Sequence, residues 1–378
     1  MMDEGFLGYS RSNGKVGIRN KIAVISSVVC ANTVARRVAE KIDNAVAITH
    51  PHGCGQFQGT RGFSNTFNIL AGLGSNPNVY GALVVGLGCE NLFSNELADK
   101  IRESKKPVES FNIQDVKGGT IGAIEKGLGI CKRFDKEVKG LKREFFDFSH
   151  VTLGLECGGS DSTSGLTANP ALGIVSDKIV NLGGTSILPE FPEWGGAVHL
   201  LSKRAINEKV AKNIERPFKR FAVENRSPGN IAGGLSTPEE KSLGNIAKAG
   251  KSPIQGVIKY TEKPGEKKGL WLMMEPGIDV ISVTALAAAG ANIIVFTTGR
   301  GTPFGNPVAP VIKICGNPKT CEFMGNNFDI DASKIITNNK TIEDISVLLW
   351  KKLNYVCNGE KTISERLGFE EDIGFWGA

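Results

Sequence analysis

Gly154-Leu155-Glu156-Cys157-Gly158-Gly159-Ser160-Asp161-Ser162-Thr163-Ser164-Gly165 is the stretch whose reading decides the fold. Before it lies an apolar, β-branched run, Val151 to Leu155, which predicts a short buried strand. After it, the apolar spacing from Asn169 to Leu182 predicts a helix. Strand, glycine-rich turn and helix place a thiol, two carboxylates and several hydroxyls where the strand ends, and open α/β sheets bind ligands there. Glycine lets backbone N–H groups approach a ligand closely, and the following helix N-terminus favours an anion. A turn that is glycine-rich for steric reasons alone is the competing explanation, and the density of polar groups weighs against it.

Composition sets the frame. A chain of 378 residues predicts two α/β lobes. With 40% hydrophobic and 22% charged residues it has the make-up of a soluble globular protein, and its 47 glycines fall at the ends of apolar runs, as loops around a site require. The net charge of +6 is spread without a basic block, which excludes nucleic acid and suits a small anionic substrate. No signal pattern opens the chain and no apolar run reaches the roughly 20 residues of a membrane span, so a cytoplasmic location is expected. Eight cysteines include no Cys-x-x-Cys pair and should be reduced there. Cys54, Cys89 and Cys157 lie in glycine-flanked turns and are candidates for a metal or for nucleophilic chemistry, whereas Cys30 and the other four are expected in the core.

The chain then reads as alternating strands and helices, which imply parallel pairing through right-handed crossovers. A polar arm with Asn13-Gly14 hairpin chemistry precedes strands Lys21 to Val29, Ala45 to Thr49, Ala82 to Val85 and Val108 to Asn112, with helices between them. The N-terminal lobe is expected over residues 1–135 and a linker over 136–150, because the Lys-rich stretch Lys132 to Arg143 lacks a clean apolar period. The C-terminal lobe, 151–378, should hold strands Thr185 to Leu188, Leu270 to Met273, Ile293 to Thr297 and Val311 to Cys315, and helices from about Ala197 to Glu224 and near Ile342 to Cys357. The glycine-rich segment Arg226 to Ser236 is too long for a mere connector.

The loops after these strands collect the unusual residues: Cys30; His50, His52 and Cys54; Cys89 and Glu90; Glu156, Cys157 and Asp161; Glu190 and Glu193; Glu275 and Asp279; Thr297, Thr298 and Arg300. Two chemistries fit these parts. Imidazole, carboxylate and thiolate suit a mononuclear transition metal acting as a Lewis acid. Three thiolates from Cys54, Cys89 and Cys157 could instead hold an iron–sulfur cluster with one open iron. The reaction class that most needs such a site removes a proton α to a carboxylate and expels a β-leaving group, since a preorganised cation stabilises the intermediate more than the ground state.

Several segments resemble the altronate and galactarate dehydratases: Gly8-Tyr9-x-Arg11-x-x-Gly14-x-x-Gly17-x-Arg19-Asn20, Gly53-Cys54-Gly55, Gly86-Leu87-Gly88-Cys89-Glu90, Cys157-Gly158-Gly159-Ser160-Asp161, Ser227-Pro228-Gly229-Asn230 and Phe296-Thr297-Thr298-Gly299-Arg300-Gly301. The resemblance runs along nearly the whole chain in order. It implies dehydration of a sugar acid to a 2-keto-3-deoxy acid with ferrous iron or another divalent metal, or, as in the related sulfolactate sulfo-lyases, loss of sulfite. Departures from the family pattern at Val198, Met274 and Phe191 imply a less polar pocket and a smaller or less hydroxylated substrate.

The site expected on this resemblance places the metal among His50, His52, Cys54, Cys89, Glu90 and Cys157. Gly158, Gly159, Ser160, Thr298 and Arg300 bind the substrate. His199 is the first choice of base and Glu193 the second, with Glu190 and Asp161 also in the catalytic set. The resemblance further implies a homo-oligomer and a separate small β-rich subunit, because only seven residues precede Gly8 where longer members carry a domain; it would dock around Arg11 and Arg19. A catalytically silent paralogue serving an active copy is the alternative from another class.

Overall fold

The structure, a computed structural model, describes residues 5–219, 224–369 and 373–377. Its strands are β1 (Phe6–Ser10), β2 (Val16–Gly17), β3 (Lys21–Ser26), β4 (Ala45–Ile48), β5 (Val79–Gly86), β6 (Val108–Asn112), β7 (Glu144–Phe146), β8 (Thr152–Cys157), β9 (Thr185–Leu188), β10 (Ile254–Lys259), β11 (Gly269–Met274), β12 (Ile293–Thr298), β13 (Val311–Cys315) and β14 (Ile330–Asp331). Two sheets are wholly parallel: one of four strands in the order β4-β3-β5-β6, and one of seven in the order β10-β11-β9-β8-β12-β13-β14. The α/β class with mainly parallel sheets and flanking helices is therefore what the chain adopts. β1 and β2 form the hairpin that Asn13-Gly14 announced, with Gly14 at φ +77°.

Period-two alternation along the central strands sorts the core. In β3, Ile22 and Val24 face the outer helices Asn32–Ala39 and Gly119–Gly140, while Ala23 and Ile25 face inward. In β12, Ile294 and Phe296 join that same inner core, while Ile293 and Val295 face helices Ala168–Asn181 and Ile342–Cys357. Helices Arg61–Gly74, Ser94–Arg102 and Asp279–Ala288 thus form one layer between the two sheets. Helix Arg61–Gly74 lies so close to helix Asp279–Ala288 that a Cβ on Gly72 would meet the Ala288 carbonyl oxygen at 2.6 Å.

The strands' N-terminal ends adjoin across this layer. Asn78 Nδ2 donates to the carbonyls of Asn292 and Val308, at 2.9 and 3.1 Å, and Lys21 Nζ donates to that of Pro307 at 2.9 Å. Their C-terminal ends, where parallel sheets carry their sites, consequently open on the same side of the molecule.

Several expectations need correction. The span expected as a linker, 136–150, holds the last turn of helix Gly119–Gly140, with Val138 buried, and β7, which pairs antiparallel with β1. The helix expected from Ala197 to Glu224 is broken into Val198–Ser202 and Glu208–Glu215, because Asn207 caps a new start by accepting from the Val210 N–H; residues 220–223 lie outside the described residues. Helix Asp279–Ala288 shows no amphipathic period in the sequence because it is apolar all round, as a helix between two sheets must be. The Arg11 and Arg19 side chains are themselves buried. Arg11 is buried on the Pro77 and Arg19 carbonyls and Asn20, and Arg19 on Glu365 and the Val356 and Glu360 carbonyls. Among the described residues no helix is long and apolar enough to cross a membrane.

Candidate active site

β8 is the strand at which the order of the large sheet reverses: the chain proceeds from it to β9 on one side and returns to β12 on the other. The crevice at such a switch point is where open sheets hold ligands. Cys157 ends β8, Glu190 and Glu193 follow β9, Glu275 follows β11, and helix Pro238–Ala247 lies across them. The Cys157 Sγ lies 3.4 Å from Glu190 Oε1 and 3.8 Å from Glu193 Oε2. Lys241 Nζ sits 2.7 Å from Glu193 Oε1, Lys248 Nζ pairs with Glu190 Oε2, and Asn245 Nδ2 donates to both carboxylates at 3.0 and 2.9 Å.

Lys241, Asn245 and Lys248 were not singled out from the sequence. Their spacing of i, i+4 and i+7 puts them on one helix face, and that was the available signal. Glu190 holds its place in the left-handed region, φ 66° and ψ 48°, with its backbone N–H bound by Glu275. Non-glycine residues in that region are strained and concentrate at functional sites.

Electrostatically the group carries surplus negative charge. Glu156, Glu190, Glu193, Glu275 and Asp279, five carboxyl groups, share the site with two ammonium groups, Lys241 and Lys248. Burial, with repulsion from Glu190 added, drives Glu156 well above the usual carboxylate range, and both its oxygens are buried without a hydrogen-bond partner. Burial likewise pushes Glu190 up to about 8, Glu275 to about 7 and Asp279 to about 6, and it raises the Cys157 thiol. Such a pocket either holds protons or takes a cation. Among the described residues, Cys157, Glu190 and Glu193 form the one group of three whose ligand atoms all lie within 4.8 Å of each other. One thiol and two carboxylates, with uncompensated carboxyls behind them, fit a divalent transition metal.

The six residues expected as metal ligands do not assemble into one group. His50 has both ring nitrogens engaged: Nε2 lies 3.0 Å from the Ser26 carbonyl, and Nδ1 accepts from the His52 N–H at 3.2 Å. Glu90 spends its carboxylate on Ser27 Oγ and the N–H groups of Leu87, Gly88 and Cys89. His52, Cys54 and Cys89 stay with them at the rim of the small sheet, and only Cys157 belongs to the buried group.

The remaining predicted residues fall around that group. His199 is exposed, two positions before the inward-facing Leu201 and hence on the opposite side of its short helix. Asp161 is consumed in stitching its loop, accepting from Thr163 Oγ1, the Ser164 N–H and Asn317 Nδ2. Ser160 Oγ lies 3.5 Å from the Cys157 sulfur, Thr298 Oγ1 accepts from the Gly301 N–H, and Arg300 is exposed at the rim with its N–H on the Gly159 carbonyl. Gly158 leaves room for the Asp279 carboxylate, since a Cβ there would sit 2.1 Å from Asp279 Oδ2 and displace it. The segment Arg226 to Ser236 folds as a capped turn whose buried Asn230 donates to the Ser160 carbonyl and accepts from Lys241. Free space beside Cys157 is only about 10 Å³, room for about one water. The larger cavity, about 850 Å³, opens at the opposite strand ends among Lys15, Lys100, Lys263 and Lys268.

Comparison with known proteins agrees with this architecture. Residues 148–377 match the family described as D-galactarate/altronate dehydratase, C-terminal, and residues 8–139 match D-galactarate dehydratase/altronate hydrolase, second domain. The chain is 38% identical to altronate dehydratase of Bacillus subtilis (strain 168), covering 97% of this chain and 76% of that protein. It is 36% identical to (2R)-sulfolactate sulfo-lyase subunit beta of Chromohalobacter salexigens, covering 97% and 96%. It is 34% identical to galactarate dehydratase (L-threo-forming) of Escherichia coli (strain K12), covering 97% and 76%. The chain belongs to the D-galactarate/altronate dehydratase family and is an enzyme of the lyase class.

Proposed function

We propose, with membership in that family as the premise, that this chain is the large subunit of a hydro-lyase removing water from a sugar acid such as altronate to give a 2-keto-3-deoxy acid. The observation that carries the proposal is the buried Cys157–Glu190–Glu193 group at the switch point, backed by Lys241 and Lys248. A divalent metal, ferrous iron by this proposal, would be held by Cys157 Sγ, Glu190 and Glu193, and when bound would polarise the substrate's carboxylate and hydroxyl oxygens.

The chain's own residues do the rest. Lys241 and Lys248 supply fixed positive charge where the substrate carboxylate gains negative charge during the elimination. Asp279 takes the C2 proton: it is outside the ligand trio, its carboxylate lies against Gly158, and burial raises it to about 6, close to where a general base works near neutral pH. Asp279 thus takes the role expected of the exposed His199, while Glu193 is committed to Lys241. Arg300 at the rim reaches the distal anion of the substrate.

A second elimination, of sulfite from (2R)-sulfolactate, is favoured by the likeness to the sulfo-lyase subunit over 96% of that protein. Its name as a subunit beta also supports a separate small partner subunit for this chain. The test is anaerobic assay of the iron-loaded chain, alone and with the co-expressed small subunit, against altronate, galactarate and (2R)-sulfolactate. A keto acid released from altronate and abolished by chelation supports the proposal. Sulfite release alone selects the second elimination, and no elimination from any of the three, with or without the partner, overturns both.

A further inference from the structure

The four-stranded sheet carries a switch point of its own. Its order β4-β3-β5-β6 reverses between β3 and β5, so a ligand crevice is expected outside their C-terminal ends. Cys30 follows β3, Cys54 follows β4 and Cys89 follows β5: three successive strand-to-helix loops, each bearing one cysteine at that rim. Of the eight cysteines these three are the exposed ones, whereas Cys131, Cys157, Cys315 and Cys357 are buried and Cys321 is half-buried. Cys30 thereby departs from the core position expected for it.

The loops are tied to each other pairwise. The Val29 N–H, one residue before Cys30, donates to the His52 carbonyl at 2.8 Å. Asn91 Nδ2, two residues after Cys89, donates to the Cys54 carbonyl at 2.6 Å. Ser27 Oγ donates to Glu90 Oε1 at 2.8 Å, and Glu90 in turn gathers the Leu87, Gly88 and Cys89 N–H groups. Glu90 and Asn91 therefore preorganise the loop that carries Cys89 and tie it to the loop of Cys54. Beside them His52 Nε2 is buried without a hydrogen-bond partner, its ring edge-on to Phe375 at 4.9 Å.

From this placement we infer that Cys30, Cys54 and Cys89 form a second metal centre, a thiolate site for an iron–sulfur cluster with three protein ligands. Three exposed thiols on adjoining loops, rather than one compact ligand set, suit a cluster, which spreads its thiolates over several irons. Three thiolates would leave one iron of a cubane without a cysteine ligand. The centre is separate from the buried Cys157 group and stands whether or not the elimination proposed above is correct.

The experiment uses the full chain, reconstituted anaerobically with equal amounts of ferrous and ferric iron and with sulfide. Iron and acid-labile sulfide are counted, visible and EPR spectra are recorded, and folding of each variant is checked by circular dichroism. About four irons and four sulfides per chain are expected. Cys30→Ser, Cys54→Ser and Cys89→Ser should each lose most of the sulfide-containing chromophore, while Cys157→Ser and Cys321→Ser keep it. Alkylation of the loaded wild-type chain, mapped by mass spectrometry, should show Cys30, Cys54 and Cys89 protected together and reactive again after the cluster is removed, a result that needs no variant to fold. Absence of sulfide from the loaded wild type, binding of zinc alone, or a cluster lost with Cys157→Ser but kept without Cys30 would overturn the assignment.

Discussion

The two rims of this molecule use similar residues in opposite ways. At the rim of the seven-stranded sheet, Cys157 and the glutamates are buried under helix Pro238–Ala247, and burial drives the protonation equilibria of Cys157 and Glu190 away from the charged forms. At the rim of the four-stranded sheet, three thiols stand exposed, while His50 is bound to its own backbone and Glu90 to Ser27 and the N–H groups of its loop. The difference teaches that a cysteine or carboxylate in a glycine-rich loop takes its chemistry from what covers it. The first rim has a helix that brings two cations and an amide. The second has only loops.

The sharpest way to break this contrast is to remove one cation from the covered rim. Lys248→Met leaves Glu190 buried without its partner, and a loss of about 3–5 kcal/mol in denaturant unfolding is expected, together with loss of turnover. Unchanged stability would mean that the buried charges are not coupled as described. Next in size, Asp279→Asn should lower turnover by about 10²–10⁴-fold while leaving metal content intact, and His199→Ala should stay near the wild-type rate. If the histidine variant alone were inactive, the exposed side of that helix would have to be reconsidered.

A smaller effect sharpens the electrostatics. Glu190, Glu275 and Asp279 have carboxyls raised above their unfolded values, so the folded, metal-free chain holds protons that the unfolded chain releases. Its stability should fall as pH rises from about 5 to about 8, and its melting temperature with it. Added divalent metal should flatten that slope, and a melting temperature that climbs over the same interval would contradict the surplus of buried acid. The smallest effect belongs to the open rim: Cys30→Ala in the metal-free chain should change stability by no more than about 0.5 kcal/mol, as an exposed position does. A loss of several kcal/mol there would show that Cys30 packs as a core residue.

Much of this could be read in advance where local chemistry suffices. The apolar runs of β3, β8, β12 and β13, the hairpin at Asn13-Gly14 and the family segments around Cys54, Cys89 and Cys157 follow from composition and spacing over a few residues. Strand-end loops were recognisable as the place for chemistry because parallel sheets put it there. What the chain alone left open is which loops share a space. Cys157 and Glu190 are 33 residues apart and Glu190 and Lys248 are 58 apart, and only the strand order β11-β9-β8-β12 and the helix laid over it bring them together. His50 and Glu90 read as ligands because their residue types suit a metal, yet hydrogen bonds to their own loops occupy the atoms a metal would need. Residue type and periodicity are properties of short segments, so the sequence by itself determined the strands, the turns and the family. Coordination and protonation depend on burial and on which groups meet across the fold, so the tertiary structure alone decided which thiol is buried with the carboxylates and which three remain open together.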